Sequence, residues 1–262
     1  MRAVFGWVMM ALVGTVAQAA VVGHEVTYKL GNTVMKGYLA TDDAKRGKRP
    51  GVLVVHEWWG QNEYARTRAR MLAELGYTAL AVDMYGDGKT AQHPDDAGKF
   101  AQAVNSNMAE RRARFLAAKQ FLEKQKSVDR KHIAAIGYCF GGGVVLAMAR
   151  EGVNLDGVAS FHGSLATETP AQPGKVKARI LVATGADDPM APPELVRKFE
   201  QEMDAAKADY KVIVYPGAKH SFTNPDADRL GAEFHLPLAY NESADKQSWA
   251  ELQTFLKNSF GK

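Results

Sequence analysis

Four short stretches of this sequence bring together residue types that could do nucleophilic chemistry: HEWWG at 56–60, GYCFGG at 137–142, GADDPMAP at 185–192 and AKHSF at 218–222. In Gly137-x-Cys139-x-Gly141 an apolar, strand-like run stops at a glycine, and three glycines then open into an apolar helix-like segment. This is the G-x-S-x-G nucleophile-elbow pattern with sulfur in place of the hydroxyl. A nucleophile on so tight a turn sits in strained backbone, so the residues two before and two after it must be small enough for strand and helix to close up. Cys139 is also the only cysteine in the chain. A free cysteine equally well packs as a small hydrophobe, so the elbow alone leaves a buried and a reactive thiol equally open.

A reactive thiol needs a base to take its proton and a third group to hold that base in the right tautomer. Both types occur downstream, each at the end of an apolar run: Asp187 and Asp188 after Ile180–Thr184, and His220 after Val212–Tyr215. The chain order nucleophile, acid, base differs from that of the chymotrypsin and subtilisin types. Either aspartate could serve as the acid on this reading. His56-Glu57 could suggest a zinc-protease helix, but position 60 is Gly where a second histidine would be required, so no metal is expected.

These residues need strands to carry them. HEVTYKLGNTVMKGYLA at 24–40 shows two partly alternating stretches around Gly31-Asn32 and predicts a β-hairpin. From Gly51 onward short apolar runs (51–56, 77–82, 133–138, 157–162, 179–184 and 210–215) alternate with segments of helical spacing at 64–75, 97–126, 140–150, 193–206 and 244–260. The long helical region 97–126 should break near Asn105–Asn107, and the stretch between 216 and 243 reads as a long loop. Such alternation predicts an α/β fold, with one mostly parallel sheet covered on both faces and the hairpin at its edge. Working residues in such sheets gather at the carboxyl ends of the strands, where all four stretches fall.

Composition sets the outer limits. The chain has 262 residues, 46% hydrophobic and 24% charged, enough for one domain with a full core. Residues 1–19 stand apart: Arg2 gives a basic start, Val8–Val16 is apolar, and Ala17-Gln18-Ala19 is an A-x-A cleavage signature. They read as a secretory signal peptide, leaving 20–262 as a single domain. The apolar run falls short of the roughly 20 residues of a spanning helix, so after cleavage no membrane span is expected and the protein should be periplasmic or secreted. Removing residues 1–19 takes one arginine and no acid, lowering the formal charge from +4 to +3. With no basic run to form a stripe, nucleic acid is not an expected partner. In an oxidising compartment a lone cysteine lacks an intramolecular disulfide partner, which leaves it buried, reactive or both.

Taken together the motifs resemble the dienelactone hydrolase family of the α/β-hydrolase superfamily, over nearly the whole mature chain; AVDMYG at 81–86 adds a fifth matching piece. The resemblance implies an α/β-hydrolase fold, selects Asp188 over Asp187, and assigns Cys139 as nucleophile, His220 as general base and acid, and Asp188 as its orienter. It implies backbone N–H groups of Trp58 and Phe140 as the oxyanion hole. It also implies that Glu57 holds the resting thiol by a hydrogen bond and turns away when substrate arrives. Trp59, Tyr85, Tyr138 and His162, at or beside strand ends, are candidate substrate-binding residues.

The family's dienelactone-cleaving members grip the substrate carboxylate with arginines, where this sequence has Gly86-Asp87-Gly88-Lys89 and Thr223-Asn224-Pro225. Lys89 and Arg229 are the nearest basic substitutes. The expected activity is therefore hydrolysis of another lactone or carboxylic ester, carboxymethylenebutenolidase-type in chemistry, through a thioester and without a cofactor. A small-molecule ester or lactone is the expected partner, and a monomer the default state. The alternative is a non-catalytic thiol-bearing binding or redox protein on the same scaffold.

Overall fold

The structure, a computed structural model, describes residues 21–261; the signal peptide expected at 1–19 lies outside them. Eight strands form one sheet: β1 (Val21–Leu30), β2 (Thr33–Asp42), β3 (Arg49–Val55), β4 (Thr78–Val82), β5 (Val128–Tyr138), β6 (Gly157–Phe161), β7 (Arg179–Gly185) and β8 (Tyr210–Tyr215). Their spatial order is β1-β2-β4-β3-β5-β6-β7-β8. The β1–β2 and β2–β4 pairs are antiparallel and the other five are parallel. The hairpin thus sits at the edge, turning at Gly31-Asn32, and the Cys139 strand β5 lies inside the sheet between β3 and β6.

The described residues also form seven helices, five between strands and two after β8: α1 (Glu63–Glu74), α2 (Pro94–Asn105), α3 (Met108–Glu123), α4 (Phe140–Arg150), α5 (Pro193–Ala206), α6 (Ala227–Phe234) and α7 (Glu242–Ser259). Several begin on side-chain caps that satisfy otherwise orphaned N–H groups. Asn62 accepts from Ala65 N–H, Asn107 from Glu110 N–H, and Asn241 from Ala244 N–H. The same Asn107 makes the expected break: α2 ends on Ser106, and Asn107 caps α3.

Strand alternation splits the core into two layers. Leu53 and Val55 of β3 and Ile133 and Ala135 of β5 face Phe115 and Leu122 of α3 and Val145 and Met148 of α4. Val52, Val54, Ala134 and Ile136 face the other way, onto Leu72 of α1 and Leu252 and Leu256 of α7. Both layers are fully buried at these strand positions, so the strands read as continuous apolar runs. A smaller cluster of Trp59, Ala91, Ala97, Ala227, Leu230 and Leu238 lies apart from both.

One element departs from expectation. Helix α6 occupies part of the stretch read as loop. Ala227, Leu230, Gly231 and Phe234 follow helical spacing, and Ala227, Leu230 and Phe234 pack into the Trp59 cluster.

Candidate active site

At the end of β5 the chain turns so sharply that Cys139 has φ 51° and ψ −115°, a sparsely populated combination for a residue with a side chain. The flanking glycines make this turn possible. A Cβ on Gly137 would lie 2.1 Å from the carbonyl oxygen of Gly141, and one on Gly141 would lie 2.3 Å from that of Val55. These obstacles are backbone atoms, which cannot swing aside. The Gly141 N–H, freed to approach β3, donates to His56 O at 3.1 Å and ties the start of α4 to the end of β3.

The turn leaves Cys139 partly exposed, with His220 Nε2 3.1 Å from its sulfur. The other ring nitrogen, Nδ1, is 2.9 Å from Asp188 Oδ2. Asp188 is almost fully buried, and its Oδ1 accepts from Met190 N–H at 2.8 Å, fixing the carboxylate in its turn. Asp187, the other candidate acid, is exposed. Burial works against a charged His220, but the negative charge of the Cys139 sulfur and the Asp188 hydrogen bond outweigh it and push the imidazole up to about 10. The raised value favours a protonated His220 at neutral pH.

Phe140 opens α4, so its N–H has no partner within the helix. Among the described residues the Trp58 N–H has no backbone or side-chain acceptor either. The loop bearing Trp58 is held from two sides. Tyr85 donates its hydroxyl hydrogen to Trp58 O at 2.8 Å. His56, fully buried, donates from Nδ1 to Glu57 O and accepts at Nε2 from Met84 N–H at 3.3 Å, so burial keeps it below its ordinary pKa.

Glu57 departs from what the resemblance implies. Its carboxylate does not meet the thiol. Ser221 Oγ donates to Oε1 at 2.9 Å and Asn224 Nδ2 to Oε2 at 2.7 Å. Both donors belong to the loop that carries His220, one to each carboxylate oxygen. Burial pushes Glu57 above the usual carboxylate range, opposed by these two hydrogen bonds.

Of the four candidate substrate-binding residues, one borders an open cleft. Trp59 lines a cavity of about 480 Å³ with Asn62, Tyr64, Asn224, Arg229 and Phe234 among its walls. Tyr85 is buried in its bond to Trp58, and Tyr138 is buried in the core with its ring stacked on Phe161 at 4.9 Å. His162 is fully buried beneath the nucleophile. These three fall at strand ends but point inward, which sequence position alone does not reveal. A second cavity of about 580 Å³ runs along α4, past Phe140, Gly143, Ala147 and Arg150. Among the described residues no cluster of three or more His, Cys, Asp or Glu side chains could hold a metal ion. No helix among them is long and apolar enough to cross a membrane.

Sequence reasoning missed the partners Ser221, Thr223 and Asn224, whose signal was a polar run directly after His220 that turns out buried. It also missed Arg68 of α1, buried and bonded to Thr223 O at 2.5 Å and Asp245 Oδ1 at 2.6 Å.

A mostly parallel sheet covered on both faces, with a strained strand-to-helix turn at the end of an inner strand, defines an α/β-hydrolase fold. The solved structure of the α/β-hydrolase enzyme MGS-M1, from a Medee basin deep-sea metagenome library, superposes with a TM-score of 0.67 over 92% of this chain and 99% of that one, at 14% identity. The model of the dienelactone hydrolase family matches residues 35–260, and the chain belongs to that family. Among curated relatives, protein usf of Aquifex pyrophilus is 30% identical over 207 residues, spanning 77% of this chain and 87% of its own. The crystal structure of the dienelactone hydrolase-like promiscuous phosphotriesterase P91, from metagenomic libraries, is 36% identical with a TM-score of 0.86, covering 92% of this chain and 99% of that one.

Proposed function

We propose that this member of the family is an exported, thiol-dependent hydrolase of uncharged carboxylic esters or lactones, with Cys139 as nucleophile, His220 as general base and acid, and Asp188 as orienter. The observation that carries the reading is the continuous line from Asp188 Oδ2 through His220, 2.9 Å on one side and 3.1 Å on the other, to the Cys139 sulfur.

The sulfur, its proton held by His220, attacks the carbonyl carbon as the C=O electron pair moves onto oxygen. That oxyanion faces the N–H groups of Phe140 and Trp58, donors preset for developing charge. Its collapse breaks the C–O bond, and the departing alkoxide takes the proton from His220 Nε2. Water then gives a proton to His220 and adds as hydroxide to the thioester. The second tetrahedral species expels the thiolate, and the carboxylic acid leaves.

The pairing of the two basic candidates supports an uncharged substrate. The Trp59 cleft is walled by Glu63, Asp226 and Glu233 against a single arginine, Arg229, which is already paired with both Asp226 and Glu233. Lys89, the other basic candidate, is near Asp87 at 3.8 Å. Neither cation stands free to grip a substrate carboxylate. The likeness to P91 adds phosphotriesters as a second class to screen.

The test is release of p-nitrophenol from short-chain esters, with carboxylate-bearing and neutral lactones in parallel. Cys139→Ala should lose at least about 10³-fold in kcat, iodoacetamide should block the wild type, and neutral substrates should be preferred. A folded Cys139→Ala variant retaining most activity would overturn the nucleophile, and preference for carboxylate-bearing lactones would overturn the substrate class. For export, N-terminal sequencing of the protein from a bacterial host should read from just after Ala19; cytoplasmic protein retaining residues 1–19 would refute it.

A further inference from the structure

His162 does nothing in the chemistry just described, yet it is the group most tightly built into the nucleophile's surroundings. It follows β6 with φ 39°, a left-handed conformation uncommon for a residue with a side chain, and is fully buried. Its own N–H donates to Ala183 O at 2.8 Å, which anchors it to β7. The Cys139 N–H is shared between Phe161 O at 3.0 Å and His162 Nδ1 at 3.2 Å. Since Nδ1 accepts, the ring hydrogen sits on Nε2, which donates to Thr223 Oγ1 at 2.7 Å. Thr223 lies three residues after His220. Its hydroxyl passes on to Tyr64 Oη at 2.6 Å, which also accepts from Arg68 Nε at 3.3 Å. The His162 ring is edge-on to that of His220, centroids 5.4 Å apart.

We propose that His162 is a positioning residue for the nucleophile: its two ring nitrogens join the backbone of Cys139 to the loop carrying His220, and so set the distance between sulfur and imidazole. The sulfur and the base come from separate strands, β5 and β8, which are not neighbours in the sheet. Without a tie, their approach would depend on the loops alone. The imidazole spans that gap with one acceptor and one donor, and the Thr223–Tyr64–Arg68 chain fixes the far end to α1.

The role requires a neutral ring, because a protonated Nδ1 could not accept from Cys139. Burial first, then the charges of His220 and Arg68, hold His162 well below its ordinary pKa. Those are the charged groups facing it, one from the loop after β8 and one from α1; Asp245 of α7 neutralises Arg68 from behind.

This inference rests on Cys139 being the nucleophile, and the experiment keeps the two separable by measuring thiol alkylation as well as hydrolysis. His162→Phe preserves ring volume and removes both hydrogen bonds. His162→Asn keeps an acceptor near the Nδ1 position and tolerates the left-handed backbone. A displacement of about 1 Å at a reacting pair costs roughly 10²-fold, so His162→Phe should lower kcat about 100-fold with KM within twofold. Its iodoacetamide alkylation at pH 7 should slow at least about tenfold, because the base no longer stands at hydrogen-bond distance from the sulfur. His162→Asn should return kcat to within about tenfold of wild type, and Thr223→Val, which cuts only the Nε2 side, should fall between the two. Rates are taken per folded molecule, with melting curves as control. If the wild type proves inert toward esters while alkylation still follows this order, the hydrolase reading fails and the positioning role stands. The proposal is overturned if folded His162→Phe alkylates and turns over within twofold of wild type, or if both variants lose rate only in proportion to their unfolded fraction.

Discussion

The backbone at Cys139 makes an energetic prediction that reverses an ordinary rule. At a typical position glycine is less stable than alanine by about 0.5–1 kcal/mol, because it loses more freedom on folding. At φ 51° and ψ −115°, however, any Cβ is held in a sparsely populated region, which costs about 1–3 kcal/mol. Cys139→Ala keeps that strain and Cys139→Gly relieves it. Both lose the thiol, so its contacts cancel between them, and at this half-buried site alanine's methyl returns roughly 0.4 kcal/mol. The balance puts the glycine variant about 1 kcal/mol above the alanine variant. For a chain of this length that corresponds to about 2–4 °C in Tm. Urea unfolding of the two variants, with slopes compared so that only the midpoint is interpreted, reads the difference directly. Alanine ahead by about 1 kcal/mol, the ordinary order, would show that the elbow is unstrained and refute the reasoning.

Other outcomes follow from the charges around the site. Asp188→Asn removes the acceptor that fixes the His220 tautomer, and kcat should fall about 10³–10⁴-fold in steady-state assays while the fold persists; a loss under tenfold would rule out the orienting role. His220, held up to about 10, carries its proton below that pH and loses it above. The leaving-group step should therefore fail with an alkaline limb near 10, whereas stability owed to that proton is full below about 6.5 and declines progressively from there up to about 10; a limb near 7 in the pH–kcat profile would contradict this. Glu57 is raised by burial, so the native state binds more protons than the unfolded one above the usual carboxylate range. Stability from this group falls as pH rises from that range through its raised value, and unfolding midpoints should shift progressively in favour of Glu57→Gln as pH rises above the usual carboxylate range. A pH-independent difference would sink that account.

Much of the architecture was legible because the strands are buried on both faces and read as unbroken apolar runs. Strand β8 and helix α5 have the boundaries expected from the sequence, Tyr210–Tyr215 and Pro193–Ala206. The order of Cys139, Asp188 and His220 was equally visible, since each lies in the turn or loop that follows its strand. What escaped depends on direction and on long-range partners. Tyr85, Tyr138 and His162 occupy strand ends like pocket residues, yet their side chains turn inward. Glu57 is held by Ser221 and Asn224, which lie 164 and 167 residues further along the chain. No local pattern encodes such a pairing. Helix α6 escaped because it is only 8 residues long and packs on the Trp59 cluster, whose other members come from distant parts of the chain.

The sheet order has a consequence for how the thiol acquires its reactivity during folding. Cys139 is synthesised with β5, but its imidazole arrives only after β7 and β8, the last strands to be made, which pair at that end of the sheet. Contacts between residues so far apart in the chain form late, because loop closure must precede them. Until β8 docks, the nascent protein carries a plain cysteine with no base beside it, slow to react at neutral pH. Reactivity then begins with completion of the fold, so the rate at which Cys139 is labelled during refolding becomes a clock for the arrival of the final strand.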